Sequence, residues 1–286
     1  MLFRLAFALA SIALASTALV SMTAMLVDPV DAAAQDMLRS VDLNSPEMST
    51  SEMTRGEVEA LLRAASRDAG GGRSLDLQGK RLSHLDLSGL DFSGGNLRLV
   101  KLNGANLKGA RFDRAILNQA WLIDADLTGA SLASASLLGT QMQRARLGSA
   151  DLKDARITAD LSGASLIGAR LAGADLSADM RNQSMGMMRG VLKSADLSNA
   201  DLSGANLMRA DLEFAKLEHA NLANCNLSRA DLAGADLSNA RLAGADFTET
   251  DLASSLLPSA AALADARNLD KARNLNLARR QPQGAR

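Results

Sequence analysis

From about Leu75 to Leu257 an apolar residue, usually Leu, returns every fifth position, with a small residue two places before it and a polar one immediately before it. Leu197, Leu202, Leu207, Leu212, Leu217 and Leu222 are typical, carried in words such as SADLS, NADLS, GANLM, RADLE and HANLA. A period of five fits neither the helical repeat of 3.6 nor the strand repeat of 2, so no continuous helix or long strand keeps these leucines on one face. A short extended stretch followed by a turn does. With Ala195, Asp196 and Leu197 extended, Ala and Leu point to one side and Asp to the other, and Ser198 and Asn199 turn the chain. Repetition predicts a solenoid with one large and one small apolar residue inward per word, and Asp or Asn facing water. The small positions must stay small, because extra methylenes in a close-packed interior cost roughly 1–3 kcal/mol.

The spacing is strict from Leu77 to Ile157. Ala159-Asp160-Leu161 then arrives one residue early, and Ala178-Asp179-Met180 again, each predicting a tightened corner or slight kink. RNQSMGMMRG, Arg181 to Gly190, breaks the pattern before it restarts near Leu192, and predicts an outward loop. Met185, Met187 and Met188 in it are candidate partner contacts, although filling core positions of a distorted coil is the commoner use of Met. Trp121 stands where Asp or Asn usually stands, and Phe214 stands in a turn two places after Leu212. Both are expected to be exposed and are further candidate contacts, against the background that single exposed apolar residues are normal.

The A(D/N)LXX words resemble those of the pentapeptide-repeat family, over about two-thirds of the chain and about 35 words. The resemblance implies an all-β solenoid, a right-handed quadrilateral β-helix with four words per coil. At about 4.8 Å per coil, some nine coils would form a rod about 40 Å long.

Around this array, residues 73–257 with an irregular loop at about 180–191, the flanks read differently. Leu5 to Val27 carries no charge and is mostly apolar, with Arg4 before it and Asp28, Asp31 and Asp36 after it. It is long enough to span a bilayer, and the charge order sends everything downstream across the membrane. Ala32-Ala33-Ala34 before Gln35 has the form of a signal-peptidase site, so residues 1–34 are a signal peptide or a single-pass anchor formed by an apolar helix. Residues 35–53 read as a linker. Thr54 and Glu57 form a T-x-x-E capping box ahead of Val58, Leu61, Leu62 and Ala65, which predicts an amphipathic helix within 54–72, closed by Gly70, Gly71 and Gly72. Laid over the first coil it would cap an edge that otherwise invites aggregation. Leu75, Leu85 and Leu90, at positions that elsewhere hold Ala, fit an irregular first coil. After Leu257, Pro258 and the alanines following it predict a second capping helix and then a basic tail, together 258–286.

Composition narrows the chemistry. The 286 residues carry a formal net charge of −1, aromatics are 2% and Tyr is absent, which leaves little for nucleic-acid or cofactor binding. One cysteine, Cys225, excludes an intrachain disulfide; it occupies an inward small position. His84 and His219 lie too far apart in sequence to form a recognised metal pair. The many Asp recur as outward residues, without calcium-loop spacing. No catalytic, cofactor-binding or metal-binding residues are expected.

The reading is a non-enzymatic exported or membrane-anchored protein, periplasmic or facing the periplasm, acting as a rigid protein-binding or scaffolding rod in the cell envelope. Its partners are an unidentified protein, the membrane if the N-terminal segment stays uncleaved, and a second copy through end-to-end pairing. The alternative implied by the resemblance is a DNA-mimicking topoisomerase-binding protein of the quinolone-resistance type, or a secreted host-directed effector. A DNA mimic needs a strongly negative surface, and Arg98, Lys108, Arg111, Arg114, Arg144, Arg146 and Arg170 interrupt the Asp ladder.

Overall fold

The computed structural model describes residues 41–65, 75–178 and 188–281. Asp42–Arg286 forms one compact unit. Its backbone winds so that the residue before each core Leu pairs in parallel with its counterpart 20 residues on, Asp76 with Asn96 and Asn96 with Ile116. Four such columns run along the array, beginning at Asp76, Arg81, Asp86 and Asp91, so four five-residue words close each coil. This is a β-helix solenoid: the period predicts the solenoid and the resemblance its four-word coil.

Where each N–H goes explains the five-letter word. Number a word by its core Leu, Leu197. Its own N–H donates to Lys216 O in the next coil and that of Asn199 to Glu218 O, while the Asp196 N–H donates back to Ala164 O. The Ala200 N–H closes the turn on Leu197 O, and the Ser198 N–H donates to Asp196 Oδ1 at 3.0 Å. All five donors are thereby satisfied, as a buried backbone requires. Asn199 sits at φ 60°, the left-handed third residue of a type II turn, which accounts for the Gly and Asn at this position elsewhere.

This corrects the expectation that Asp and Asn merely face water: the carboxylate caps the turn that follows it. At three words where the column residue does not do so, a side chain of the preceding coil supplies the acceptor. Asn103 Oδ1 takes the Ile123 N–H behind Trp121, Asp113 takes that of Ala133 behind Ser131, and Asn118 takes that of Leu138 behind Ser136.

Inside, the core Leu from Leu77 to Leu257 are essentially fully buried. Phe92 and Phe112 stack along the axis, centroids 5.0 Å apart and 9° from parallel. Leu75, at a small position, is accommodated because Gly95 lies opposite; a Cβ there would come within 2.8 Å of Leu75 Cδ2. The two threonines at small positions donate to carbonyls of the preceding coil, Thr140 to Leu117 O and Thr250 to Leu227 O.

The two irregularities occupy one corner. Ile157-Thr158-Ala159 lacks the left-handed residue, and the column step there falls to 19 residues, Gln141 to Asp160. In the next coil the same corner opens at Ala178 into the insertion, and the rung after Asp175 is supplied by Val191. Of the early word at 178–180, Asp179 and Met180 lie outside the described residues. The returning strand closes tightly on the inset corner. A Cβ on Gly190 would lie 2.9 Å from Leu176 O and 3.3 Å from Ile157 O.

Both ends of the array are engaged by the flanks. The first coil presents carbonyls toward the N-terminus. The Glu52 N–H donates to Arg81 O, and Arg55 Nη1 and Nη2 donate to Asp86 O and Ser88 O. Arg55 opens helix α2, Arg55–Ala64, whose Thr54–Glu57 capping box forms as the sequence predicts and whose Val58 is fully buried in the core. Part of the expected linker is also structured. Helix α1, Pro46–Ser49, buries Met48, whose carbonyl accepts from Ser83 and Asn103, and Ser51 pairs with Leu82. The apolar anchor Met48 and the donors waiting on the first two coils are the reason.

At the other end the predicted capping helix is absent. Residues 258–266 form turns, and Leu257, Leu263, Leu269 and Leu275 then recur every six residues. The last five-residue words leave N–H groups pointing onward. Those of Gly244, Phe247, Glu249 and Leu252 go to Asp265, Arg267, Lys271 and Arg273 carbonyls. An α-helix would consume its own carbonyls and leave those donors unpaired, so the edge overrides the helix propensity of the alanines. Strand β1, Leu256–Leu257, pairs in parallel with β2, Arg279–Arg280, so the basic tail up to Gln281 belongs to the array. Among the described residues no helix is long and apolar enough to cross a membrane; the expected export segment, 1–34, lies outside them.

Candidate functional site

With most of its N–H groups consumed internally, the array offers partners mainly side chains. Of the expected contact residues, Trp121 is half-buried rather than exposed, because it stacks in its column between Lys101, whose side chain is 16% exposed, and Gln141. Phe214 is exposed, at 51%, with its ring lying over Gly234 at the next corner. The two are four coils apart, about 19 Å along the axis, and form no common patch. Met188 is half-buried, its Sδ 3.6 Å from where a Gly139 Cβ would stand. Met185 and Met187 lie outside the described residues.

One polar concavity was not anticipated. Arg209, Arg229 and Glu249 follow one another at the left-handed corner position, and with Arg189 and Arg273 they line an open depression of about 320 Å³. Arg229 Nε meets Glu249 Oε2 at 2.8 Å, Arg189 Nη2 meets Asp211 at 3.2 Å, and Arg273 Nη2 meets Asp251 at 3.5 Å. Beside this corner Asp211, Asp231 and Asp251 stack in one column. Burial pushes the Asp231 carboxyl above the usual Asp value, and the charges of Asp211, Asp251 and Glu213 add to the shift.

The folded chain holds the Asp231 proton more tightly than the unfolded chain does, so ionisation destabilises the fold above the raised pKa and costs nothing below the ordinary value of 3.8. Asp231→Asn keeps the turn-capping oxygen that accepts from Ala233 and can donate to Asp211, as Asn221 donates to Asp201. It is expected to raise the melting temperature at pH 7, an advantage that shrinks as the pH falls through the raised pKa towards the ordinary value of 3.8 and is gone below it.

Among the described residues no three His, Cys, Asp or Glu side chains are grouped to hold a metal. Cys225 is fully buried, its thiol donates to Leu202 O, and burial pushes its pKa up to about 12. It is expected to resist a thiol reagent at pH 8 in the folded protein and to react fully in denaturant; rapid native labelling would contradict this burial.

The sequence matches the family description "Pentapeptide repeats (8 copies)" over residues 81–119, 120–158, 159–178, 191–224 and 215–257, more than half of the chain. The chain belongs to the pentapeptide-repeat family. Among solved structures it is similar to HetL, a pentapeptide repeat protein involved in heterocyst differentiation regulation from the cyanobacterium Nostoc sp. Strain PCC 7120. The two share 32% identity over 80% of this chain and 95% of that one, with a TM-score of 0.34. It is also similar to QnrB1, a plasmid-mediated fluoroquinolone resistance protein, at 21% identity over 72% and 91% and a TM-score of 0.47. A third is a pentapeptide repeat protein of the Arabidopsis thaliana thylakoid lumen, at 25% identity over 60% and 68% and a TM-score of 0.20. A comparison with curated proteins finds no match.

As a pentapeptide-repeat protein the chain carries its signal in departures from the word. Asn103, Asp113 and Asn118, polar acceptors just after a core Leu or Phe, mark where the next coil lacks its own turn cap. The tetrapeptide ARNL at 266–269 and again at 272–275 marks the six-residue words. The corner arginines were visible in sequence only as Arg209 and Arg229, 20 residues apart. Arg189 and Arg273 join them through the insertion and the changed period.

Proposed function

We propose that this pentapeptide-repeat protein is a non-enzymatic, exported or membrane-anchored rod of about nine regular coils that binds or scaffolds proteins in the cell envelope. The observation that carries the protein-binding part is the hydrogen-bond accounting: the repeat backbone is spent on its own stacking, and side chains at fixed intervals are what remains to recognise a partner. Export rests on the charge-free Leu5–Val27 stretch and the alanines before Gln35. The terminal segments act as caps, denying the array end-to-end growth.

Cell fractionation with N-terminal sequencing of the accumulated protein tests compartment and cleavage together. A phosphatase fused after Gln35 should be active outside the cytoplasm, and an inactive fusion counts against export. The DNA-mimic alternative is opposed by arginines along the corners and columns, several bonded to the Asp ladder itself, such as Arg146 with Asp126 at 2.8 Å. Potent inhibition of gyrase supercoiling by the purified chain would revive it.

A further inference from the structure

The depression at the arginine corner has an unusual occupant. Arg229 grips Glu249 through Nε at 2.8 Å and Nη2 at 3.4 Å, while Arg273 Nε binds the Glu249 backbone carbonyl at 3.2 Å. Arg229, by hydrogen bond and charge, and then Arg273 and Arg209 by charge, hold this carboxyl below its ordinary value. Several guanidinium groups thus converge on one glutamate, whose side chain is 53% exposed at the mouth of a depression of about 320 Å³.

We propose that this corner is a docking site for an acidic extended segment of a partner protein, with Glu249 holding in the free protein the place that a partner carboxylate takes on binding. The proposal rests on the protein-binding reading above and names the partner's chemistry. Arginine forks pair carboxylates bidentately with defined geometry, and such anchors dominate interface energetics. Successive corner positions repeat at about 4.8 Å, within reach of successive same-face side chains of an extended peptide. The flanking column favours a peptide over a nucleic acid strand. A polymer with a phosphate at every unit would run alongside Asp211, Asp231 and Asp251, whereas a peptide can place neutral or basic side chains there.

The test uses the full chain and a fluorescein-labelled peptide of alternating Glu and Ser, followed by fluorescence anisotropy at low and physiological salt. Arg229→Ala is expected to weaken binding about tenfold, the loss typical of one charge-assisted anchor. Glu249→Gln, which keeps the shape and removes the internal competitor, is expected to tighten binding at least about threefold. Lys153→Ala, on a different column, should leave it unchanged. Matched melting curves show that each variant is folded. Unchanged affinity for both corner variants, or weaker binding by Glu249→Gln, would overturn the proposal. So would an oligonucleotide of equal charge that binds more tightly through the same arginines. The two readings fail separately: a cytoplasmic protein with an intact peptide site loses the envelope role alone, and an exported one that ignores the peptide loses only this site.

Discussion

Phe112→Ala is expected to lower stability by about 3–5 kcal/mol, the largest effect of any single truncation considered for this chain. Phe112 is completely buried, stacks on Phe92 at 5.0 Å, and stands in a layer where every neighbour is fixed by hydrogen bonds to the coils on either side. The cavity cannot collapse without breaking those bonds. Because each coil touches only its neighbours, the loss should be local. Hydrogen exchange should accelerate in the first coils, 75–130, while amides beyond Leu192 keep their protection. Uniform acceleration along the whole array would show instead that it unfolds as a single cooperative unit.

Gly190→Ala is expected to cost about 1–3 kcal/mol, as for a methyl forced into filled space. The obstruction is backbone: Leu176 O at 2.9 Å and Ile157 O at 3.3 Å belong to coils that cannot step aside singly. Gly129→Ala is the informative comparison. Gly129 has φ +67°, so alanine there meets left-handed backbone strain but no atom within 4 Å. Thermal melts of the two variants separate conformational strain from steric exclusion. If Gly190→Ala proved the milder, the insertion would be loosely seated rather than wedged against the shortened corner.

The period of five made the solenoid legible, because no other regular backbone keeps Leu202 and Leu232 inside together with their alanines. What the period hid was hydrogen bonding. Asp196 reads as a solvated residue until the turn it caps is drawn, and Asn103 and Asp113 look like ordinary polar turn residues until the coil after them is found to need an acceptor. The C-terminal segment misled for the converse reason. Its alanines favour a helix in isolation, yet the donors of Gly244, Phe247 and Leu252 are a property of the preceding coil, invisible locally. Trp121 was misjudged because exposure at a column position depends on Lys101 and Gln141, each 20 residues away. The arginine corner needed the insertion's exact registry, which sets Arg189 beside Arg209.

In each regular word two amide donors aim toward the C-terminal end and one aims back. The stack therefore has a head and a tail, and every added layer offers at each of its two surfaces the same groups as the layer before it. Duplicating a 20-residue block such as Asp211–Ala230 should lengthen the protein by about 4.8 Å without redesign of either terminus. Exchanging the two terminal segments should fail, since acceptors would then meet acceptors.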